Sequence, residues 1–191
     1  MSAMYAVYHG PSGLRRIAAK VYALTLVLKQ QLQALGIKVL NQDALFFDTL
    51  TVEAPATEVH EVARANEINL RRIAANRVGI TLDETVRLED LADLVNVFAR
   101  VLSKPEVNAQ DLMTAASKHG LSSASLDQLN ANPNFARTSS YLTQPVFNAY
   151  HSETSLLRYI HTLQNKVLSL VHAMIPLGSF SMKLYSTSIM S

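Results

Sequence analysis

An apolar stripe along residues 12–35 is the feature that most limits what this chain can fold into. Apolar side chains recur there every three or four residues, which places them on one face of an α-helix. The stripe consists of Leu14, Ile17, Ala18, Val21, Leu24, Leu28, Leu32 and Leu35. Pro11 and Ser12 suit the start of this helix and Gly36 suits its end. The stripe therefore predicts a long amphipathic helix that packs its apolar face against other elements.

The residues on both sides of this helix also have recognisable patterns. Before it, the first eight residues, M-S-A-M-Y-A-V-Y, look like the end of a buried helix. Strands are predicted at residues 37–40, 46–52, 68–73 and 77–82, and helices at residues 55–66 and 88–102. This order predicts an α/β fold: a small antiparallel sheet covered by helices.

The second half of the chain is less regular. Lys104-Pro105 closes the α/β unit, residues 108–119 form a short helix that Gly120 stops, and residues 122–134 read as a linker. Ser152 caps a last helix, and Pro176 and Gly178 end helical structure. The apolar stripe of that helix is Leu156, Ile160, Leu163 and Val167. We expect three parts: residues 1–104, a linker at residues 105–136, and residues 137–191.

Composition excludes several classes of function. The chain of 191 residues has no cysteine, so disulfide scaffolds, thiolate zinc sites and thiol nucleophiles are ruled out. Its net charge is +2 with scattered basic residues, which argues against a nucleic-acid partner. We find neither a membrane-spanning run nor a signal peptide. A cytoplasmic location is expected for a bacterial protein, and the mitochondrial matrix for a eukaryotic one.

Four groups of residues are candidates for chemistry. The six histidines lack helical zinc spacing, so no metal site is expected. The run His9-Gly10-Pro11-Ser12-Gly13 could hold an anion at a helix N-terminus, although a tight turn between helices is favoured. Asp83-Glu84 could act as an acid–base pair, but a turn and helix cap made with Thr85 is favoured. The fourth group, Gly178-Ser179-Phe180-Ser181 followed by Lys183, could approach a phosphate or carboxylate, and a plain loop is the alternative.

Several blocks of the chain, in order, resemble the P-protein of the glycine cleavage system. They are A-M-Y-A-V-Y-H-G at residues 3–10, F-F-D-T-L-T-V at 46–52, G-I-T-L-D-E-T-V at 79–86, Arg137-Thr138-Ser139, F-N-A-Y-H-S-E-T at 147–154, and residues 174–183. The resemblance implies an interior piece of a chain with two tandem aminotransferase-like (fold type I) domains. The piece would run from the small subdomain of the N-terminal half to the start of the C-terminal half.

The resemblance also implies an activity and partners. The family decarboxylates glycine with pyridoxal phosphate and transfers the aminomethyl group to the lipoyl arm of the H-protein. The remaining half of the P-protein would be a second partner. The family's cofactor lysine lies in an S-H-L-N-x-H-K-type segment that this sequence lacks, and Lys183 is not that lysine. We therefore expect no catalytic residue, no bound cofactor and no activity from this chain alone.

The sequence departs from the family pattern near its end. The family motif G-S-C-T-M-K-L-N reads G-S-F-S-M-K-L-Y here, so that Phe180, Ser181 and Tyr185 replace cysteine, threonine and asparagine. Ser179, Ser181 and Lys183 are candidates for the periphery of an active site by resemblance only. The alternative interpretations are a non-enzymatic α/β interaction module, whose exposed apolar stripe on the last helix binds a partner, and a truncated or decayed gene product.

Overall fold

A computed structural model describes residues 1–41, 46–118 and 137–166. Its elements are α1 (Ser2–Ala34), β1 (Lys38–Val39), β2 (Thr49–Glu53), α2 (Ala56–Ala65), β3 (Arg71–Ala74), β4 (Arg77–Thr81), α3 (Leu88–Val101), α4 (Ala109–Lys118), a 3-10 helix (Pro145–Asn148) and α5 (Glu153–Gln164). The chain divides into two compact units, one formed by residues 12–141 and the other by residues 1–11 together with the chain from residue 142 onward.

The larger unit contains a small antiparallel sheet. Among the described residues the strand order is β1-β2-β4-β3, and every neighbouring pair is antiparallel. The predicted α/β class with a small antiparallel sheet is confirmed. Strand β4 pairs with β3 across a tight hairpin and with β2 through five residue pairs, Thr49–Glu53 against Arg77–Thr81. The strand order is therefore set by the return of β4 between two earlier strands.

The core of this unit forms where the inner face of the sheet meets the apolar faces of α1, α2 and α3. Leu24, Leu28 and Leu32 of the predicted stripe are almost completely buried there. Leu50 and Val52 of β2 alternate with more exposed residues, as a half-buried strand requires. On α1, the buried Thr25 donates its hydroxyl hydrogen to the Val21 carbonyl (2.9 Å), which satisfies this side chain inside the helix.

Two predicted strand starts are wrong, each for a local reason. Strand β2 begins at Thr49 rather than residue 46, because the rings of Phe46 and Phe47 pack beside Tyr22 instead of extending the strand. Strand β3 begins at Arg71 rather than residue 68, because the Ile68 N–H bonds back to the Ala63 carbonyl at the end of α2.

A further correction concerns the start of the chain. Residues 2–9 are helical, as expected, but the prediction that they belong to a buried helix is wrong for most of their side chains, with Val7 as the exception. The helix is also interrupted, because Gly10 has φ +62° and ψ −178°. Pro11 then begins the long segment that carries the apolar stripe.

The other predicted helices lie close to their expected positions. Helices α2, α3, α4 and α5 begin within one residue of the starts that the sequence indicates, and Ser152 caps α5 as predicted by accepting the Ser155 N–H. Gly120, the linker at residues 122–134, Val167, Pro176 and Gly178 lie outside the described residues. No helix in the described part of the chain is long and apolar enough to cross a membrane.

Candidate functional site

Ring side chains gather in the smaller unit, around the break in α1. Tyr5 and His9 are four residues apart on one helix face, and their ring centroids lie 4.3 Å apart. Tyr8 meets the His9 ring edge-on at 5.1 Å. From the other segment of the same unit, Tyr150 stacks on Tyr159 of α5 with centroids 4.4 Å apart. The smaller unit thus has two groups of contacting rings, Tyr5, Tyr8 and His9 in one and Tyr150 and Tyr159 in the other.

The turn at Gly10 requires glycine. Its backbone combination of φ +62° and ψ −178° lies in a region that is essentially restricted to glycine. Space is also lacking, because a Cβ atom built there would lie 2.7 Å from His151 Cε1 and 2.7 Å from the Phe147 carbonyl oxygen. The segment from Phe147 to His151 is therefore in close contact with the backbone of this turn.

His151 makes the polar contact of this arrangement. Its Nδ1 lies 2.8 Å from the Tyr8 carbonyl oxygen. Because a carbonyl only accepts hydrogen bonds, Nδ1 must carry the hydrogen and donate it. The break at Gly10 interrupts the helical hydrogen-bond ladder, so that the carbonyls of the preceding turn need other partners. His151 supplies one of them.

The loop that precedes His151 is held by one side chain. Asn148 donates its Nδ2 hydrogens to the carbonyls of Leu142 (2.9 Å) and Gln144 (3.1 Å). Leu142 has a φ of +51°, an uncommon and strained backbone conformation for a bulky residue. The double hydrogen bond from Asn148 stabilises this strained turn, and the 3-10 helix that follows delivers Phe147 and His151 to Gly10.

The turn at Gly10 decides between the two interpretations of the run His9 to Gly13. The sequence favoured a tight turn between helices over an anion site, and the structure confirms the turn. The backbone at Gly10 is packed against Phe147 and His151, so it is covered by protein groups. Sequence reasoning treated His151 as an ordinary surface or capping histidine and missed its contact with residues more than 140 positions earlier.

The pair Asp83-Glu84 forms a turn, as favoured. Asp83 Oδ1 accepts hydrogen bonds from the Thr85 N–H (2.8 Å) and the Thr85 hydroxyl (2.6 Å). These two bonds, the hydroxyl first, hold the pKa of Asp83 below its ordinary value. The prediction that this turn also caps the next helix is wrong. Helix α3 is capped by Arg87, whose backbone N–H donates to Asp90.

The remaining predicted site residues divide into two groups. Ser179, Ser181 and Lys183 lie outside the described residues, as do His119 and His172. His60 lies in the described part of the chain, and both of its ring nitrogens face backbone carbonyls. Nδ1 lies 2.6 Å from the Ala56 oxygen, and Nε2 lies 3.1 Å from the Leu70 oxygen. Over residues 1–41, 46–118 and 137–166, no group of three or more histidine and carboxylate side chains could share a metal ion.

A cleft of about 170 Å³ in the larger unit does not fit pyridoxal phosphate, the cofactor that the resemblance implies. Lys104 lies in the wall of this cleft, but the wall is otherwise mostly apolar and also includes Glu53. Sites for small molecules and cofactors are usually larger, roughly 300–1,000 Å³. Two other lysines have partners: Lys20 donates to the Glu84 carbonyl (2.8 Å) and Lys29 lies over the Phe46 ring.

Comparison with protein families gives a match over the first half of the chain. Residues 1–98 match the family model described as "Glycine cleavage system P-protein". The matched range contains the larger unit's sheet, helices α1 and α2 and most of α3, and it includes the Gly10 turn.

Comparison with curated proteins extends the similarity to the whole chain. A glycine dehydrogenase (decarboxylating) from Nostoc sp. is 48% identical over 100% of this chain and 19% of that protein. A glycine dehydrogenase (decarboxylating) from Paraburkholderia xenovorans is 45% identical, again over 100% of this chain and 19% of its own length. A relative from Schizosaccharomyces pombe, 45% identical over the whole chain and 18% of that protein, is named as mitochondrial. The chain thus spans about a fifth of the length of the curated relatives that it matches.

Proposed function

We propose, because this chain belongs to the P-protein family of the glycine cleavage system, that it serves as a structural part of a glycine-decarboxylating enzyme. The reaction would be decarboxylation of glycine with pyridoxal phosphate, followed by transfer of the aminomethyl group to the lipoyl arm of the H-protein. The observation that carries this proposal is that 45–48% identity to glycine dehydrogenases extends over the entire chain.

Within such an enzyme we assign this chain a supporting role rather than the chemistry itself. The cofactor supplies the electron sink on which decarboxylation depends. The cleft beside Lys104 is small for this cofactor and mostly apolar, and the sequence lacks the family's cofactor-lysine segment. What these residues do is build a small α/β unit and join the Gly10 turn to the Phe147–His151 loop.

The division of the chain is proposed on the same basis. Residues 1–104 would be the long helix and small subdomain of an aminotransferase-like N-terminal half, residues 105–136 a linker, and residues 137–191 the junction with the C-terminal half. Ser179, Ser181 and Lys183 would border the active site of the complete enzyme, by resemblance to the family's G-S-C-T-M-K-L-N motif.

A chimeric enzyme tests the proposed role. The corresponding stretch of the Nostoc glycine dehydrogenase is replaced by this chain, and glycine-dependent exchange of bicarbonate is measured with the H-protein present. We expect activity within about tenfold of the parent, a change of about 1.4 kcal/mol in barrier height. The isolated chain, supplied with pyridoxal phosphate and glycine, is the negative control and is expected to be inactive.

A second chimera separates the role of the whole chain from that of its last residues. It carries Phe180→Cys, Ser181→Thr and Tyr185→Asn, which restore the family motif. Activity in this chimera alone would assign the loss to the departures near Phe180 and leave the supporting role intact. Two folded but inactive chimeras would contradict the proposed role, and bicarbonate exchange by the isolated chain would contradict its inactivity.

A further inference from the structure

Two distant parts of the chain build the smaller unit together. Residues 1–11 supply the helix that ends at the Gly10 turn, and residues 142–166 supply the loop and α5. The two segments contribute complementary groups. The first presents the Gly10 backbone and the Tyr8 carbonyl, and the second presents the His151 ring and the Phe147 carbonyl oxygen. The contact therefore has the complementary shape and polarity of an interface.

The packing at Gly10 is tight enough to distinguish glycine from every residue that has a side chain. The positions of His151 Cε1 and the Phe147 carbonyl oxygen leave no room for a single methyl group at residue 10. One of these two neighbours is backbone, which cannot move aside as the tip of a flexible side chain can. The contact therefore excludes even an alanine side chain at residue 10, and such steric exclusion is one way in which a site becomes specific for one partner.

The segment that contacts Gly10 has several hydrogen bonds of its own. Asn148 bridges the carbonyls of Leu142 and Gln144, and Ser152 and Ser155 cap each other's backbone at the start of α5. These hydrogen bonds lie within the segment itself. A segment held in its bound conformation loses less entropy on binding, so a small contact can still be stable.

From this complementarity we propose that residues 1–11 form a docking surface for the chain's own segment 142–166, and that the two remain bound when the peptide connection between them is cut. The segment is recognised through the Phe147 carbonyl and the His151 ring at Gly10, and through the His151 Nδ1 hydrogen bond to the Tyr8 carbonyl.

A cleavable form of the complete chain tests this proposal. A specific protease site is inserted within residues 122–134, the purified protein is cut, and the two pieces are followed by size-exclusion chromatography and by titration of one piece with the other. We expect the pieces to elute together. Gly10→Ala is expected to weaken their association by at least about tenfold. Gly36→Ala is the matched control, because Gly36 also has a positive φ (+83°) but nothing lies within 4 Å of a Cβ there.

A second pair of variants leaves the backbone of α1 unchanged. His151→Asn keeps a side-chain N–H that can replace Nδ1 as a donor, whereas His151→Leu removes the donor. We expect His151→Leu to weaken association more than His151→Asn does, which keeps the test decisive even if Gly10→Ala prevents folding. The proposal is overturned if the cut wild-type pieces separate, if Gly10→Ala and Gly36→Ala weaken association equally, or if the two His151 variants bind equally well.

Discussion

Single residues of this chain are held mostly by hydrogen bonds to backbone groups. His151 donates to a carbonyl freed by a helix break, Asn148 donates to two carbonyls of its own loop, and Asn96 pairs with both the N–H and the carbonyl of Val107 at 2.8 and 3.0 Å. Such contacts satisfy backbone groups that regular structure leaves without partners. They give these three polar side chains defined positions, whether the residue lies in a helix, as Asn96 and Asn148 do, or outside one, as His151 does.

The Asp83 turn gives a prediction at this scale. Two hydrogen bonds from Thr85 hold the folded-state pKa of Asp83 below its ordinary value. The stability that the ionised carboxylate adds is therefore present above the unfolded-state pKa of about 4 and is lost as the pH falls through the folded-state value. Asp83→Asn, which keeps an acceptor oxygen but no charge, should be slightly less stable than wild type at pH 7.

Urea unfolding of both proteins between pH 7 and pH 3 measures this difference. We expect the gap in unfolding free energy to shrink as the pH falls below about 4. Thr85→Val, which removes the hydroxyl but keeps the backbone N–H, should remove part of the gap. A gap that stays constant over this range would show that the hydrogen bonds do not favour the ionised form.

At the scale of elements, three helices end in the same way. After α1, α2 and α3, an N–H donates to the carbonyl five residues earlier: Ile37 to Leu32, Ile68 to Ala63, and Lys104 to Ala99. The residues preceding these donors, Gly36, Glu67 and Ser103, all have positive φ and donate to the carbonyl three residues earlier. This is the Schellman arrangement, in which glycine is the usual residue at the left-handed position.

All three helices end within one residue of their predicted ends, but only the first left-handed residue could be predicted from the sequence. Gly36 is a recognisable stop signal, whereas Glu67 and Ser103 carry none. At α2 the following residue, Ile68, packs against the core and so draws the chain into that turn.

Replacing Glu67 by glycine should therefore stabilise the protein. A left-handed conformation costs a residue with a side chain about 1–2 kcal/mol, and glycine's larger entropy in the unfolded chain offsets about 0.4–1 kcal/mol of the gain. We expect a net increase of about 0.5–1 kcal/mol in the unfolding free energy of Glu67→Gly, measured by urea denaturation. Glu67→Ala, which removes the charge but keeps the strain, is the control. A glycine variant no more stable than the alanine variant would contradict the strain at this position.

At the scale of the whole molecule, the larger unit carries the apolar core, whereas no residue of α5 is fully buried in the structure. Leu28 of α1 is completely buried, but Leu157 of α5 is 58% exposed. The same substitution should therefore have very different costs at the two positions.

This contrast can be measured with two alanine variants. Leu28→Ala should reduce the unfolding free energy by about 2–5 kcal/mol, because it removes apolar contacts and leaves a cavity. Leu157→Ala should change it by no more than about 0.5 kcal/mol. Thermal or urea unfolding of the two variants beside wild type provides the measurement. Equal costs would contradict the assignment of the core to the larger unit.

What the sequence determined by itself is the set of local elements and the family. The helix face of residues 12–35, the strand and helix order that followed and the Ser152 cap depend on residues a few positions apart, and such spacings are visible in the chain. The resemblance blocks indicated the family that the comparisons then confirmed.

Only the tertiary structure decided the strand order β1-β2-β4-β3 and the contact of Gly10 with Phe147 and His151. Gly10 and His151 each look ordinary in their own surroundings. The physical reason is that contacts between distant segments follow from shape, burial and backbone geometry, which leave no periodic trace in the sequence.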